Sequence, residues 1–352
     1  MRYSFFLLFL SLAVAVHAAP SITPESMALY HAGHSAAVSG DRAAARGKFD
    51  AALARDPKNF LAMFDIGGLA EDAGRKEEAI EAYEKTTAIA PDFAEAQVEL
   101  GTLYLNVQRN PDKAIARFRI ALLTKVPYAD SRFALSHTRG QALRNLSVSY
   151  AVKRQFGLAQ GIARSFLSDS GVNHEGDAAM NTLLQRSSGS MTAVTTRKFA
   201  EDLEPISKQL HGGKVAEALS AYLAFEKSHP LASLPPMDAW DLYEGIGLAY
   251  AMTNRNAEAL VAFEKAVEAG MPLPYGKLQE AQFNTACALA LLGRAEEAIA
   301  RLEEVLWEDQ ITTVDPERTR KNGYAPLIKK DETLASIRQH PGYLKLFETY
   351  GP

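Results

Sequence analysis

The chain has 352 residues, of which 47% are hydrophobic and 23% are charged, a composition typical of a folded globular chain rather than a disordered one. Its formal net charge at pH 7 is −4 and it contains no basic tract, which argues against nucleic acid as its main partner. The single cysteine, Cys287, leaves no intramolecular disulfide, so packing alone must stabilise the fold.

The N-terminus combines a short apolar run with a boundary of small residues. The run extends over twelve residues, from Phe5 to Val16, and a membrane-spanning helix needs roughly 18 or more. Small side chains follow and place a cleavage site before Ala19. We therefore predict a signal peptide over residues 1–18 and a periplasmic or secreted mature chain with no membrane span. An uncleaved anchor is the alternative, and a lipoprotein is excluded because no cysteine follows the run.

Two stretches that lie 34 residues apart share one pattern. GDRAAARGKFDAALARDP begins at Gly40 and GRKEEAIEAYEKTTAIAP begins at Gly74, and both carry an alanine, an aromatic residue and a closing proline at matching offsets. Glycine favours the end of a helix, and proline is tolerated at helix starts but not in their interiors. Each stretch is therefore predicted to be the second helix of a helical hairpin.

The pattern recurs along most of the chain. First helices carry a small residue, with Ile206 as the one large exception: Gly33, Gly67, Gly101, Ser147, Gly247 and Ala286. Second helices carry an alanine: Ala45, Ala79, Ala114, Ala159, Ala218, Ala259 and Ala298. A bulkier residue recurs four positions later, weakening to Ala163 and Leu302: Phe49, Tyr83, Phe118, Tyr222 and Phe263. We expect the two small sites of each hairpin to face each other, with the bulky side chains in the grooves beside them.

This pattern resembles the tetratricopeptide repeat, a 34-residue helix-turn-helix unit, and most closely its bacterial exported members with a C-terminal end-of-array element. Seven units are placed over residues 26–59, 60–93, 94–128, 140–168, 199–232, 240–273 and 279–310. The third has one extra residue and the fourth is degenerate. The resemblance implies an all-α fold, a right-handed superhelical solenoid of about seven helical hairpins with a C-terminal helical cap.

The units divide the chain into sub-arrays. We predict an N-terminal sub-array of four hairpins over residues 26–168 and a C-terminal one of three hairpins over residues 199–310. Residues 169–198 are rich in Ser, Thr and Gly, and are predicted to form a flexible connection with at most a short turn near 178–184. Residues 311–352 are predicted to hold an irregular segment and the capping helices.

Three groups of residues could suggest chemistry. His31 and His34 are spaced to share a helix face, but no third ligand follows at metal-site spacing, so a surface or groove pair is favoured. The sequence NHEGD, at residues 173–177, offers a histidine and two carboxylates on a loop that lacks the rigid support that catalysis needs. Cys287 is flanked by alanines and is expected to be a buried, unreactive residue. No cofactor or metal is predicted.

The resemblance also implies a binding groove on the inner faces of the first helices. At the matching positions this chain has Met27, Tyr30, His34, Leu61, Phe64, Glu95, Val98 and Thr102, with Gly68 beside them. Members that clamp a terminal carboxylate carry Lys, Asn and Arg where this chain has Tyr30, Phe64 and Val98, so a carboxylate clamp is not expected. Either these apolar residues form a recognition surface, with Tyr30 and Phe64 reachable from solvent, or they pack against neighbouring units or the chain itself.

The resulting functional expectation is a non-enzymatic scaffold that binds a protein or peptide partner. An accessory subunit of an envelope assembly, in secretion, polysaccharide export or outer-membrane biogenesis, differs only in its partner. An enzyme with its site in the 168–198 loop or the C-terminal region is the alternative from another class. The pattern leaves the partner and the oligomeric state open.

Overall fold

The computed structural model describes residues 21–124, 135–169, 177–190, 197–273, 275–312 and 323–350. The predicted signal peptide lies outside these residues. All regular secondary structure within them is helical. None of the described helices combines the length and apolar character that crossing a bilayer requires.

Seventeen α-helices follow one another along the described residues. Their bounds are α1 Pro24–Val38, α2 Arg42–Arg55, α3 Phe60–Asp72, α4 Lys76–Ile89, α5 Ala94–Asn106, α6 Pro111–Leu123, α7 Leu135–Val152, α8 Phe156–Ser168, α9 Asp177–Ser190, α10 Arg197–His211, α11 Val215–Ser228, α12 Pro236–Met252, α13 Asn256–Gly270, α14 Tyr275–Leu291, α15 Ala295–Thr312, α16 Tyr324–Lys330 and α17 Pro341–Tyr350. Short 3₁₀ segments lie at Leu231–Ser233 and Glu332–Ile337.

Consecutive helices pack as pairs, as the repeat predicts. The pairs α1–α2, α3–α4, α5–α6, α10–α11, α12–α13 and α14–α15 are in contact, and successive pairs also touch through α2–α3, α4–α5, α11–α12 and α13–α14. The first helices of neighbouring pairs meet as well, for example α1 with α3 and α12 with α14. The predicted all-α solenoid of sequential helical hairpins is thereby confirmed. We number the hairpins one to seven in chain order, with α7 and α8 as the fourth.

The described residues form two compact units. The first contains those up to Ser149 and the second those from Tyr150 onward, so the division falls inside α7. This division does not test the domain bounds expected from the sequence, and those bounds stay predictions.

Polar caps start several helices. The side chain of Asp41 accepts a hydrogen bond from the backbone of Ala44 at 2.9 Å, and the side chain of Asn59 accepts one from Ala62 at 3.0 Å. Such caps satisfy backbone donors that a helix cannot satisfy itself. Asn59 also donates to the buried hydroxyl of Ser26 at 2.8 Å, which ties the second hairpin to the first.

Each hairpin turn contains one residue in the left-handed region. Four are glycines with φ between 73° and 86°, namely Gly40 and Gly74, which begin the two stretches of the 34-residue pattern, and Gly213 and Gly293. The other three hairpins use Arg109, Arg154 and Asn254, with φ of 52°, 62° and 59°. A side chain in this region is strained, whereas glycine is not.

We therefore expect Arg154→Gly to stabilise the protein by about 1 kcal/mol, since the Arg154 side chain is exposed and the turn keeps its shape. The reverse exchange at the equivalent turn, Gly213→Arg, should destabilise it by a similar amount. Chemical denaturation of the two variants beside the wild type measures both. A loss of stability in Arg154→Gly would show that strain is absent at this turn.

In four hairpins the glycine of the first helix contacts the aromatic residue of its partner helix. A Cβ atom built on Gly67 would lie 2.5 Å from the ring of Tyr83, and one on Gly247 would lie 2.4 Å from the ring of Phe263. Gly33 and Gly101 stand in the same relation to Phe49 and Phe118. The glycine therefore makes room for the ring of its partner helix, while the expected contact between Gly67 and Ala79 stays a prediction.

Where the small site is larger, the partner is smaller or displaced. The seventh hairpin pairs Ala286 with Leu302, and both are fully buried. The fifth pairs Ile206 with Tyr222, whose ring instead lies against Gly245 of the next hairpin, where a Cβ atom would approach it to 2.5 Å. In these two hairpins a larger residue at the small site is thus accommodated by a smaller or a displaced partner.

Helix α9 lies within the stretch that was expected to hold at most a short turn. It spans Asp177–Ser190, packs against α8, and buries Met180 almost completely. The residues on either side of it, 170–176 and 191–196, lie outside the described part of the chain, and the predicted flexibility of the connection is untested.

The C-terminal helices pack on the seventh hairpin. Ile328, Leu334, Ile337, Tyr343 and Leu346 join the same buried apolar cluster as the core of that hairpin. The hydroxyl of Tyr343 donates to the carbonyl of Ile328 at 3.1 Å, which fixes α17 against α16. These residues cover the apolar face of α14 and α15, as an end cap does.

Candidate functional site

The predicted groove residues of the first three hairpins are mostly buried. Tyr30 and Phe64 are only 4% and 5% exposed, so the expectation that they are reachable from solvent is wrong. Leu61, Glu95 and Val98 are buried as well, whereas Met27, His34 and Thr102 are half-buried. Whether any of the eight binds a partner remains a prediction.

Aromatic packing explains the burial of Phe64. Its ring lies 5.1 Å from the ring of Phe93 and 5.3 Å from that of Tyr83, within the edge-on or tilted contacts that aromatic pairs favour. The Tyr30 ring lies 6.0 Å from the ring of Phe49 in the same hairpin. The alternative in which these residues pack against other parts of the chain describes both rings, and these contacts lie within the unit of each ring.

His31 and His34 are not part of a metal-binding arrangement among the described residues. The Nδ1 atom of His34 lies 3.2 Å from the Oδ2 atom of Asp65, which joins the first hairpin to the second. Among the described residues no group of three His, Cys, Asp or Glu side chains is arranged to hold a metal ion. The loop residues before Asp177 in the NHEGD motif lie outside the described part of the chain.

Cys287 lies against the C-terminal 3₁₀ segment. Burial raises the pKa of its thiol to about 12, and the hydrogen bond from Thr333 only partly offsets this. A thiol with so high a pKa is protonated at neutral pH and is a poor nucleophile. Its predicted role as a small buried residue fits this environment.

The position that Tyr30 and Phe64 share is different in the sixth hairpin. It is the fifth residue of each unit, and it is a buried apolar residue in five hairpins: Tyr30, Phe64, Val98, Leu203 and Phe283. The fourth hairpin has the half-buried Arg144, and the sixth has Glu244, which is 4% exposed. A carboxylate therefore occupies a core position of the repeat.

Glu244 has incomplete hydrogen bonding. Its Oε1 atom accepts a hydrogen bond from the side-chain amide of Asn284 on α14. Its Oε2 atom is buried and has no hydrogen-bond partner among the described residues. Burial raises the pKa of Glu244 to about 7; Glu280 adds to this rise, while Asn284 and Lys277 oppose it. A carboxylate so poorly satisfied destabilises the fold when it ionises.

Two further carboxylates lie beside it. Burial raises the pKa of Asp241, one turn before Glu244, and Glu280 raises it further. Lys277 is the nearby cation: its Nζ atom lies 3.5 Å from the centre of the Trp240 ring and 3.9 Å from Glu280. We call Asp241, Glu244, Glu280 and Asn284 the acidic face. The three carboxylates of this face thus have one nearby lysine, Lys277, to offset their charge.

The acidic face continues to the start of α16. Burial raises the pKa of the Tyr324 hydroxyl, and the carboxylates of Glu280, Asp309 and Glu244 raise it further. The backbone of Tyr324 donates to Asp309 at 2.6 Å, which fixes this end of α16 against α15. Ionisable groups with shifted pKa values that cluster on one surface are typical of binding and catalytic sites.

A separate cavity of about 370 Å³ opens between α11, α12 and α13. In the equivalent groove of the second and third hairpins, Arg117 fills the space, 3.4 Å from Gln97 and 5.9 Å from the Tyr104 ring centre. The sixth hairpin has Ala262 where the third has Arg117, which leaves the cavity open. Its lining is mainly apolar: Leu223, Glu226, Tyr243, Ile246, Tyr250, Ala257, Glu258, Val261, Ala262 and Lys265.

Sequence reasoning missed the acidic face although the signal was present. Aligning the sixth unit on the second places Glu244 at the position of Phe64. An ionisable residue at a position that is apolar in other repeats conflicts with the local pattern, and such conflicts concentrate at functional sites.

Comparisons with known proteins bear on the repeat. The family model described as tetratricopeptide repeat matches residues 30–92 and 209–274. No curated protein matches the chain in sequence. Among solved structures, PilW, a type IV pilus biogenesis factor, is 15% identical with a TM-score of 0.35, over 90% of this chain and 99% of PilW.

Two other structures are similar at the same level. A tetratricopeptide repeat protein from Parabacteroides merdae is 14% identical, with a TM-score of 0.38 over 90% of this chain and 100% of that one. The TPR2AB domain of yeast Sti1, in complex with pHSP90, is 15% identical, with a TM-score of 0.30 over 79% of this chain and 97% of that one. With TM-scores below 0.5, none of the three carries a functional argument for this chain.

Proposed function

Because this chain is a tetratricopeptide repeat protein, we propose that it is a non-enzymatic scaffold that binds a protein partner, and that the acidic face takes part in the contact. Stacked helical hairpins present a continuous surface of first helices on which a peptide or domain can lie. Glu244 is the observation that carries the proposal, since its carboxylate is buried at a repeat position that is apolar in five other hairpins and its Oε2 atom has no hydrogen-bond partner among the described residues.

We place this function outside the cytoplasm, in the periplasm or after secretion. The support is the predicted signal peptide at residues 1–18. N-terminal sequencing of protein purified from its native host should find a chain that begins near Ala19. Recovery of intact Met1 in the membrane fraction would contradict this location.

The partner-binding proposal is tested by affinity capture from the envelope of the native host. We expect the wild-type chain to retain a defined partner, and a variant with Asp241→Asn, Glu244→Gln and Glu280→Gln to retain at least tenfold less, a difference of about 1.4 kcal/mol or more. Bound proteins are quantified by mass spectrometry.

A matched control removes three exposed carboxylates elsewhere in the second compact unit, with Glu217→Gln, Glu264→Gln and Glu268→Gln. It should capture the partner as the wild type does. Equal capture by the acidic-face variant would remove this surface from the proposal, and a wild-type chain that captures no partner would overturn the scaffold function.

A further inference from the structure

One carboxylate oxygen of the acidic face, Oε2 of Glu244, lacks a hydrogen-bond donor among the described residues. Glu244 lies at a repeat position that is apolar in five other hairpins, and its Oε2 atom is buried without a partner among the described residues. A buried carboxylate is stabilised only by donors or an opposite charge, and Asn284 supplies one donor to the other oxygen. A ligand that donates hydrogen bonds would complete the site.

The net negative charge of the acidic face favours a cationic ligand. Burial raises the pKa values of Asp241 and Glu244, the charge of Glu280 raises both further, and Lys277 is the cation that opposes these rises. Lys277 is held over the ring of Trp240 and next to Glu280, so it does not satisfy the Oε2 atom of Glu244. The face therefore keeps an excess of negative charge after its own lysine is counted.

The site is reachable from one side. Asp241 and Asn284 are half-buried and Glu280 is exposed, so the cluster meets solvent at α14 while Glu244 lies beneath it. Among the described residues the carboxylates are not grouped as metal ligands are. Because carboxylates pair well with a planar group that carries several N–H donors, such a group suits this face better than a metal ion does.

We propose that the acidic face binds an arginine side chain of the partner, whose guanidinium lies between Asp241 and Glu280 and donates to Glu244 once the half-buried side chains of Asp241 and Asn284 move aside. This inference rests on the proposed scaffold function and specifies the chemistry of its partner. Arginine suits the site because its guanidinium carries five N–H donors in a fixed plane and keeps its charge when partly buried.

The test uses three fluorescent twelve-residue peptides that share a Gly/Ser background. One carries three arginines, the second carries citrulline at those places, and the third carries glutamate. Citrulline keeps the shape of arginine and removes its charge, so the pair isolates the guanidinium. Fluorescence anisotropy against the mature full-length chain should show binding of the arginine peptide at least tenfold tighter than that of the citrulline peptide.

Three variants locate the contact. Glu244→Gln keeps the size of the side chain and should weaken binding of the arginine peptide at least tenfold, and Asp241→Asn should weaken it severalfold. The pair Glu264→Gln and Glu268→Gln removes charge from the exposed side of α13 and should leave binding unchanged. Thermal melts confirm that each variant is folded before its binding is measured.

Several outcomes would overturn the inference. They are equal binding of the citrulline peptide, unchanged binding by Glu244→Gln, an equal loss in the α13 control, and no binding of the arginine peptide to the wild type. None of these refutes the scaffold function, because partner capture from the native envelope is measured separately. Capture without arginine binding would leave a scaffold whose partner has another chemistry.

Discussion

Gly67→Ala should destabilise the protein by about 2–3 kcal/mol, the upper part of the range for an overpacked core. The added methyl group would lie 2.5 Å from the ring of Tyr83, closer than carbon atoms approach in proteins. Tyr83 cannot retreat freely, since its ring also contacts Phe64 at 5.3 Å. Urea denaturation of the variant beside the wild type measures the change in the free energy of unfolding.

The neighbouring glycine provides the control. Gly68 lies in the same helix, and a Cβ atom there would meet only the Tyr83 hydroxyl, at 3.9 Å. Alanine is favoured over glycine within helices by about 1 kcal/mol, so Gly68→Ala should stabilise the protein by up to that amount. Similar effects of the two substitutions would mean that helix propensity decides both, and that the hairpin does not require a glycine against the ring.

Glu244→Leu should stabilise the protein by about 2–3 kcal/mol at pH 8 and by much less at pH 5. Replacing a buried charge by an apolar side chain of similar size is often stabilising by about 1–4 kcal/mol. Leucine is also the residue at this position in the fifth hairpin, where Leu203 is buried. Thermal or urea unfolding across this pH range measures the difference between variant and wild type.

The direction with pH follows from the two protonation states. The pKa of Glu244 rises from 4.5 in the unfolded chain to about 7 in the fold, so the folded state holds the proton more strongly. Wild-type stability therefore falls as the pH rises from about 4.5 to about 7, by at most about 3 kcal/mol from this group. Asp241 and Asp309 act in the same direction in both proteins, so the difference between them isolates Glu244.

A pH-independent gain in Glu244→Leu would show that the carboxylate is ionised and well solvated in the fold. A loss of stability would mean that the hydrogen bond to Asn284 outweighs the buried charge. Either result would contradict the proposal that Glu244 is retained for binding at a cost in folding stability. Stabilisation together with loss of arginine-peptide binding is the combination that a functional residue predicts.

The repeat could be predicted because its signals are local. Gly40, Gly74, Gly213 and Gly293 mark turns that need a left-handed residue, and these turns lie where the spacing places them. Arg109, Arg154 and Asn254 show the limit of that signal, since packing on both sides imposes the same conformation on residues that do not favour it. Helix α9 was not predicted because its own residues show only weak helical periodicity. The contacts that stabilise it come from α8.

The site could be predicted only in part. A periodic stripe identifies the face of a helix that meets other helices, but the same stripe serves a core and a groove. Tyr30 and Phe64 were expected in the groove and lie in the core, because Phe49, Tyr83 and Phe93 enclose them. Glu244 required comparison between repeats, and its unsatisfied oxygen required coordinates.

The C-terminal cap limits how this protein can change its length. Ile328, Leu334 and Leu346 occupy the apolar face of the seventh hairpin on which an eighth would have to stack. A duplicated hairpin added at that end would compete with the cap, whereas one inserted between earlier hairpins would find matching surfaces on both sides. Repeat number in this lineage should therefore vary inside the array, while its last hairpin and the cap are inherited as one block.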